Sequence, residues 1–346
     1  MAGSVTAGAR LVNPDSQPAT PVVSVAIPML NEAKYIVACL DSFARQDYPL
    51  ERLDVMVIDG GSDDGSRLMV EAYAQTNPWV RIVENPEGSA AAAFNVGLDQ
   101  ANGDAICLFS AHGEADPTFV SASVAALHRS GAAGVGGSYR HEGLDPRQTA
   151  IGLAMMSPIG MASPHRFATS ARDVDTISHP VYWRNVILEI GRFDQALDRN
   201  SDFEFNYRIR LAGHRLHFDP AIGSVYRPRA RLNALFRQFW FYGKWKARVL
   251  RQHPASLQPR HLVAPAATLG AAVTPVLLLG RRFRTMVLGG WLAYVSLVIW
   301  GVVKADPRTH NASTATLTAA FPTLHFAWGA GFLKSMSELI TERANS

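Results

Sequence analysis

The 346-residue sequence holds only two cysteines, Cys39 and Cys107. Neither has the short spacing or histidine partners that a zinc site needs, and two distant cysteines make no disulfide framework. Both sit in apolar runs and are expected in the core. The first β-like run is not followed by a Gly-x-Gly-x-x-Gly turn, and no glycine-rich loop ends in Lys-Ser/Thr, so dinucleotide and P-loop chemistry are excluded. No nucleic-acid-binding motif is present, and nucleic acid is not an expected partner. Residues 1–20 lack a continuous apolar core and carry Pro14 and Pro18. They read as a disordered tail and not as a signal peptide, which puts the chemistry on the cytoplasmic side. Charge of one sign is in small excess, 33 Lys and Arg against 29 Asp and Glu for a net +4. The basic residues crowd between Arg227 and Arg284, beside the most apolar stretches, a pattern that suits an anionic membrane surface.

Apolar sequence is plentiful, at 48% of residues, and suffices for one large or two ordinary domains with a sizeable core. From Val22 onward it arrives in alternating short runs. Residues 22–27 form a β-branched strand ended by Pro28, and residues 31–46 follow with Ile36, Leu40 and Phe43 near helical spacing. Residues 53–59, 80–84 and 105–110 read as further strands, and residues 66–76, 89–101 and 117–130 as helices. The alternation predicts right-handed crossovers and a mostly parallel sheet in an α/β fold. Ligands of such sheets bind beyond the carboxyl ends of the strands. Here those ends are the polar, acidic segments 28–32, 59–64 and 110–116.

Two acidic groups have a chemistry set by their place. A carboxylate at a strand end, as Asp59 is, can accept a hydrogen bond from uracil or ribose, and the turn Asp59-Gly-Gly-Ser-Asp-Asp-Gly-Ser66 lets backbone amides approach the same ligand. Alone, that turn also fits a solvated loop. Asp202 and Glu204 open a helix-like segment that continues to Arg208 and Arg210. Helix N-termini favour carboxylates, so Asp202 can stay ionised and act as a general base toward a bound hydroxyl. A charged, solvated first turn is the bland alternative.

Taken in order, Val-Ser-Val-Ala-Ile-Pro-Met-Leu-Asn-Glu32, Val-Ile-Asp-Gly-Gly-Ser-Asp-Asp-Gly-Ser66, Asn95-Val-Gly97, the acidic loop ending in Pro117 and Asp202-Phe-Glu204 resemble the inverting family-2 glycosyltransferases. Asp175-Thr176, the Arg199 to Arg208 motif and Phe236-Arg-Gln-Phe-Trp-Phe-Tyr-Gly-Lys-Trp-Lys-Ala-Arg248 resemble their bacterial exopolysaccharide branch, the succinoglycan-type glucosyltransferases. The resemblance covers residues 22–254 and implies a GT-A-like fold with a nucleotide diphosphate sugar, expected to be a UDP-sugar, as donor. It implies that Pro28, Asn31 and Glu32 lie along the nucleotide, that Asp59 meets the base with Asp63 close by, and that Asn95 helps hold the sugar-nucleotide loop. Asp202 becomes the base that takes the acceptor hydroxyl's proton as it attacks the anomeric carbon opposite the departing diphosphate, inverting that centre. Glu204 supports the helix start or the acceptor. Gln238, Lys244 and Trp245 match a widely spaced Gln-x-x-Arg-Trp element that binds the diphosphate.

Two positions depart from the family. Ser110-Ala-His112 stands where the family writes Asp-x-Asp, or Asp-x-His in the exopolysaccharide branch. Ser110 keeps a hydroxyl for the donor site, and His112 can ligate Mn²⁺ or Mg²⁺ through a neutral ring nitrogen, with Glu114 or Asp116 adding oxygen ligands. Phe94 stands where arginine is common. Residues 138–183 are poorly patterned and rich in Met, Gly and Pro; the resemblance makes them the acceptor-facing region, with Arg166 or Arg172 meeting the pyrophosphate of a lipid-linked sugar.

After His261 the composition changes. Residues 262–279, broken by Pro265 and Pro275, read as a re-entrant or interfacial hairpin, and residues 286–303 and 315–333 as membrane spans. Arg281, Arg282 and Arg284 then stay inside, residues 304–311 form an outer loop and residues 338–346 are cytoplasmic. A buried helical hairpin of a soluble domain is the alternative. The expected organisation is a tail over 1–20, a GT-A-like mostly parallel domain over 21–255 and membrane-anchoring helices over 256–346. The expected function is transfer of a sugar from a nucleotide diphosphate donor to a polyprenyl-linked oligosaccharide or polysaccharide in cell-surface glycan synthesis, at the inner or plasma membrane. Two other readings stay open: a catalytically inactive, membrane-tethered sugar-nucleotide or glycan-binding subunit, motivated by Ser110 and Phe94, and a polyprenyl-phosphate glycosyltransferase whose acceptor is the lipid phosphate.

Overall fold

The computed structural model describes residues 10–13, 16–160, 168–197 and 199–344. Its contacts divide the chain into two compact units, residues 1–140 with 165–226 and residues 141–164 with 227–346. The first unit opens with β1 (Val23–Met29), α1 (Ile36–Ala44), β2 (Leu53–Asp59), α2 (Ser66–Thr76), β3 (Val80–Glu84), α3 (Ala90–Gln100) and β4 (Ala105–Leu108). Val23, Val25, Ile27, Val55, Val57, Ile106 and Cys107 are all at or near zero exposure, as strands buried on both faces require. These four strands pair in parallel in the order β3-β2-β1-β4. Gly97 lets α3 lie against this sheet, since a Cβ there would come 2.7 Å from Ala26 Cβ and 3.0 Å from Ile58 Cδ1.

Beyond β4 the sheet changes direction. β5 (Gly113–Ala115), α4 (Phe119–Ser130) and β6 (Gly134–His141) follow in sequence, then β7 (Arg172–Asp173), β8 (Val181–Trp183), α6 (Arg184–Ile190), α7 (Ser201–Leu211) and β9 (Leu216–Tyr226). The order continues β4-β8-β6-β9-β5 with β7 on β9, and β8 on β4, β8 on β6, β5 on β9 and β7 on β9 are antiparallel. The parallel pairs β3-β2, β2-β1 and β1-β4 thus come from strands before residue 109, and the sheet as a whole is mixed. Cys39 and Cys107 are free and fully buried, and burial pushes both thiols up, as core residues. Within the stretch expected as a tail, Arg10 N donates to Gly213 O at 2.9 Å and Val12 N to Gly131 O at 3.1 Å.

The second unit contains α5 (Pro146–Met156), α8 (Leu232–Gln252), α9 (Arg260–Leu277), α10 (Arg281–Ala305) and α11 (Thr314–Ala344). Asp145 caps α5, its Oδ1 accepting from Arg147 N and Gln148 N at 2.8 and 2.9 Å, with Pro146 at the first helical position. α8 and α11 approach closely because Gly243 and Gly331 carry no side chain: a Cβ at Gly331 would run into Trp240 O, and one at Gly243 into Trp328 O. Leu317, Ala320, Phe321, Leu324, Ala327, Phe332 and Ser335 of α11 are buried.

One expectation for this region is corrected. Residues 262–279 are not a hairpin: α9 runs unbroken through Pro265 and Pro275. Both prolines lie inside it, where each removes one ladder donor without stopping the helix. Residues 315–333, expected as a second span, lie within α11, where Leu317, Ala320, Phe321, Leu324 and Ala327 are buried. Among the described residues only α10 is long and apolar enough to cross a membrane. It leaves Met286, Leu288, Leu292, Ile299 and Val303 more than half exposed, as α9 does Val263, Leu269 and Val276.

Candidate active site

The loops after β1 and β2 are laced together. Asn31 adopts a left-handed backbone, φ 58°, which asparagine tolerates better than most residues. Its N–H donates to Ser62 Oγ at 3.0 Å, its Oδ1 accepts from Asp63 N at 2.9 Å, and Ala33 N donates to Asp64 Oδ2 at 2.9 Å. This turn delays α1 to Ile36, five residues after the periodicity would start it. Pro28 is half-buried one residue before the end of β1, and the Asp63 side chain is exposed on the second loop. Gly61 and Gly65, at φ 89° and 91°, let that loop fold back on itself.

Asp59 sits beneath this lacework with its side chain 1% exposed. One oxygen, Oδ1, is saturated by Ser62 N at 3.1 Å and Ser62 Oγ at 2.6 Å. The other, Oδ2, makes no hydrogen bond among the described residues and lies 3.6 Å from Arg67 Nη1. A buried carboxylate oxygen without a hydrogen-bond donor is costly unless a ligand or an ion pair offsets it. Arg67 itself is tied to Glu71 and Glu84 at 2.9 and 3.3 Å.

Past β4, the Ser110-Ala-His112 turn brings a second set of groups to the same sheet end. His112 Nδ1 lies 3.0 Å from Glu32 Oε1, and its Nε2 lies 3.4 Å from Ser110 Oγ. Tyr35 and Tyr226 flank the imidazole edge-on, with ring centroids at 6.4 and 5.0 Å. A carboxylate only accepts hydrogen bonds, so the pairing assigns the proton to Nδ1 and leaves the Nε2 lone pair available. Glu32, expected along the nucleotide, is paired with the histidine. Asp116 is unsuited to the oxygen-ligand role considered for it, because both its oxygens hold Arg140, each at 2.8 Å. Glu114 is half-buried on β5.

Among the described residues no three His, Cys, Asp or Glu side chains converge on one point. A divalent ion between two substrate phosphates needs few protein ligands, commonly one or two. The donor set fits such an ion. In the tautomer with Nδ1–H toward Glu32, His112 offers Nε2 as a ligand, and a carboxylate on the other nitrogen is the usual support of a metal-bound imidazole.

The third component is the entry to α7. Asp202 is exposed in the first turn, with Phe203 N donating to its Oδ1 at 2.8 Å. The helix is pinned behind it. Asn206, one turn on and fully buried, accepts from Tyr182 Oη at 2.7 Å and donates to Thr176 Oγ1 at 2.9 Å and Ile177 O at 3.3 Å. Burial holds the Tyr182 hydroxyl well above its ordinary pKa, and the Asp202 charge adds to the effect, so this donor stays protonated. Glu204 is buried and engages Arg208 at 2.6 and 2.9 Å, and Arg208 also reaches Ile190 O and Arg192 O. Its contacts therefore favour the helix-supporting half of its expected role.

Asn95 clamps the segment that leads into α7: its Nδ2 donates to Phe193 O at 3.0 Å and its Oδ1 accepts from Phe193 N at 2.8 Å. Phe94 packs on Phe193, which stacks on Phe205 of α7 at 4.1 Å between centroids. The residue standing where arginine is common thus contributes packing at the same junction. Sequence reasoning missed Arg67, Tyr182 and the Glu32–His112 pair; the only signal for the tyrosine network was the Asp175-Thr176 motif.

The remaining site residues divide otherwise. Gln238, Lys244 and Trp245 lie on α8, in the second unit; Gln238 Nε2 donates to Tyr242 Oη at 3.0 Å and Arg248 sits 4.8 Å over the Trp245 ring. Arg166 falls in 161–167, outside the described residues.

Comparison with known proteins gives this arrangement a context. Residues 24–186 match the family described as Glycosyl transferase family 2. The succinoglycan biosynthesis protein ExoA of Rhizobium meliloti (strain 1021) is 28% identical over 315 residues, 90% of this chain and 94% of that protein. A dolichyl N-acetyl-alpha-D-glucosaminyl phosphate 3-beta-D-2,3-diacetamido-2,3-dideoxy-beta-D-glucuronosyltransferase of Methanococcus voltae is 27% identical over 238 residues, 66% of this chain and 74% of that enzyme. The fold is that of the mannosyltransferase PcManGT from Pyrobaculum calidifontis, solved with GDP-Man and Mn²⁺: TM-score 0.59, 22% identity, 95% of this chain and 91% of that one.

Proposed function

This chain carries a family-2 glycosyltransferase domain over residues 24–186, and we propose that it transfers a sugar with inversion from a nucleotide diphosphate donor to a lipid-linked glycan. The observation that carries this reading is the pairing of a buried, ligand-ready carboxylate with an exposed one on a braced helix. Asp59 keeps one oxygen for an N–H of the base. Asp202 is presented at a helix N-terminus that Asn206, Tyr182 and Asn95 fix from behind. A binding-only subunit has no use for that second, braced carboxylate.

In this mechanism Asp202 accepts the proton of the acceptor hydroxyl as its oxygen bonds to the anomeric carbon, and the bond to the diphosphate breaks on the opposite face. His112 Nε2 would hold a divalent ion, which would supply charge neutralisation for the leaving diphosphate. Pro28, Asn31 and Asp63 border the nucleotide, and Ser110 Oγ adds a hydroxyl beside the histidine. Glu204 acts through Arg208 on the helix. Gln238, Lys244, Trp245 and Arg166 are proposed contacts of the diphosphate and the acceptor pyrophosphate.

The relatives' names support a glycan acceptor: one is a succinoglycan biosynthesis protein and the other a transferase acting on a dolichyl phosphate sugar. The exposed apolar faces of α9 and α10 support membrane attachment, with lipid covering surface that water would disfavour. α10 is the proposed span, its Arg281, Arg282 and Arg284 end on the cytoplasmic side, and residues 315–333 of α11 are the proposed return span.

The test is product analysis. Full-length protein in native membranes is incubated with labelled UDP-, GDP- and dTDP-sugars and the lipid fraction is resolved. Label on a preformed lipid-linked glycan is expected. Label on bare polyprenyl phosphate would instead identify a polyprenyl-phosphate glycosyltransferase, and nucleotide binding with no transfer a binding subunit.

A further inference from the structure

We propose that Glu32 is a positioning residue that turns His112 into the site's metal ligand, and that the pair makes the site prefer a transition ion such as Mn²⁺ over Mg²⁺. The inference rests on the nucleotide-sugar reading and adds to it which residue makes the ligand competent and which ion it selects. Its starting point is a deficit of charge. The Ser110-Ala-His112 turn brings no carboxylate to the strand end where a diphosphate would lie, and a neutral imidazole brings none either. Glu32 makes up that deficit from the loop after β1, 80 positions away in sequence, with its Oε1 3.0 Å from His112 Nδ1.

The geometry gives the pair a direction. Both side chains are largely shielded, at 18% and 17% exposure, so the contact persists without strong solvent competition. Tyr35 and Tyr226 confine the ring on two sides. With Nδ1–H given to Glu32, Nε2 must present its lone pair, beside Ser110 Oγ at 3.4 Å. Carboxylate support of this kind orients a ligating imidazole and raises its basicity. The pair carries the same net charge as one carboxylate, yet the donor atom is nitrogen. Mg²⁺ demands oxygen ligands and gives up water reluctantly, whereas first-row transition ions accept imidazole readily. Glu32 is therefore indispensable only while residue 112 is a histidine.

The experiment measures equilibrium binding of Mn²⁺ and Mg²⁺ to the full-length protein in the presence of UDP or GDP, by calorimetry and by the paramagnetic resonance of free Mn²⁺. Wild-type protein is expected to bind Mn²⁺ more tightly than Mg²⁺. Glu32→Gln should weaken Mn²⁺ binding by about 10- to 100-fold, the range for loss of such support. His112→Asp should move the preference toward Mg²⁺, and Glu32→Gln added to His112→Asp should then cost nothing further. Thermal unfolding of each variant verifies that it is folded. Unchanged Mn²⁺ affinity in Glu32→Gln, or an equal loss in the His112→Asp background, overturns the inference; the second result would make Glu32 merely structural. If nucleotides bind but the ion preference is absent, the inference fails and the glycosyltransferase reading stands. If no nucleotide binds with either ion, both fail.

Discussion

The two units of this chain solve opposite problems. In the first, polar side chains are buried and cross-linked: Asp59 to Ser62, Asn95 to Phe193, Asn206 to Tyr182 and Thr176. In the second, Gly243 and Gly331 bring helices together backbone to backbone, and apolar side chains on α9 and α10 are left uncovered. A hydrogen-bonded scaffold fixes a few atoms to within fractions of an ångström, as catalysis needs. Small-residue helix packing leaves apolar side chains free to face lipid, as membrane helices do. We propose from this difference that base binding and proton abstraction belong to the first unit and surface attachment to the second.

The sharpest way to break that division is Gly331→Leu. The new side chain meets the Trp240 backbone, and overpacking of this kind costs about 3 kcal/mol or more when backbone must move. Thermal unfolding should show the loss, while affinity of protein still folded for the nucleoside, which Asp59 is proposed to meet, should hold. Affinity falling in step with stability would contradict the separation. Next in size is Leu292→Asp on α10, at a position 69% exposed. A carboxylate at a bilayer centre costs about 2.5–3.5 kcal/mol. Vesicle flotation should report weaker partitioning with unchanged nucleotide binding, and unchanged partitioning would remove α10 from the membrane.

On the other side, Asp59→Ala should weaken nucleotide diphosphate binding by about 1–3 kcal/mol, the cost of leaving a base donor unmet. Calorimetry on a folded variant with wild-type affinity would exclude Asp59 from the pocket. A smaller, more selective effect is expected for Asn206→Leu. Loosening α7 should lower turnover about tenfold, within what ångström-scale misplacement can cost, with the donor KM retained. A rise in KM alone would mean that Asn206 does not position the base.

Much of the first unit was legible in the sequence. β2, α2 and β3 have the limits that periodicity and turn residues give them, because their apolar runs are clean and glycine or proline closes them. α1 starts late because Asn31 bonds to Ser62 and Asp63 in the next loop, a long-range demand that helical spacing does not encode. α5 carried an unused signal, Asp145-Pro146 as cap and first residue. The hairpin reading of residues 262–279 overweighted two prolines that a continuous helix accommodates. For residues 315–333 hydropathy alone cannot distinguish a helix buried by its neighbours from one buried in lipid. The pairing of Glu32 with His112 follows from the adjacency of β1 and β4 in the sheet, which no local pattern specifies.

The central claim is that Asp202 is the base. Its most direct measurement is single-turnover transfer by Asp202→Asn with saturating donor, alongside donor binding by calorimetry. Donor affinity should stay near wild type while the transfer step slows by about a hundredfold or more, the scale of general-base catalysis. Transfer at the wild-type rate, with chemistry limiting, would contradict the account.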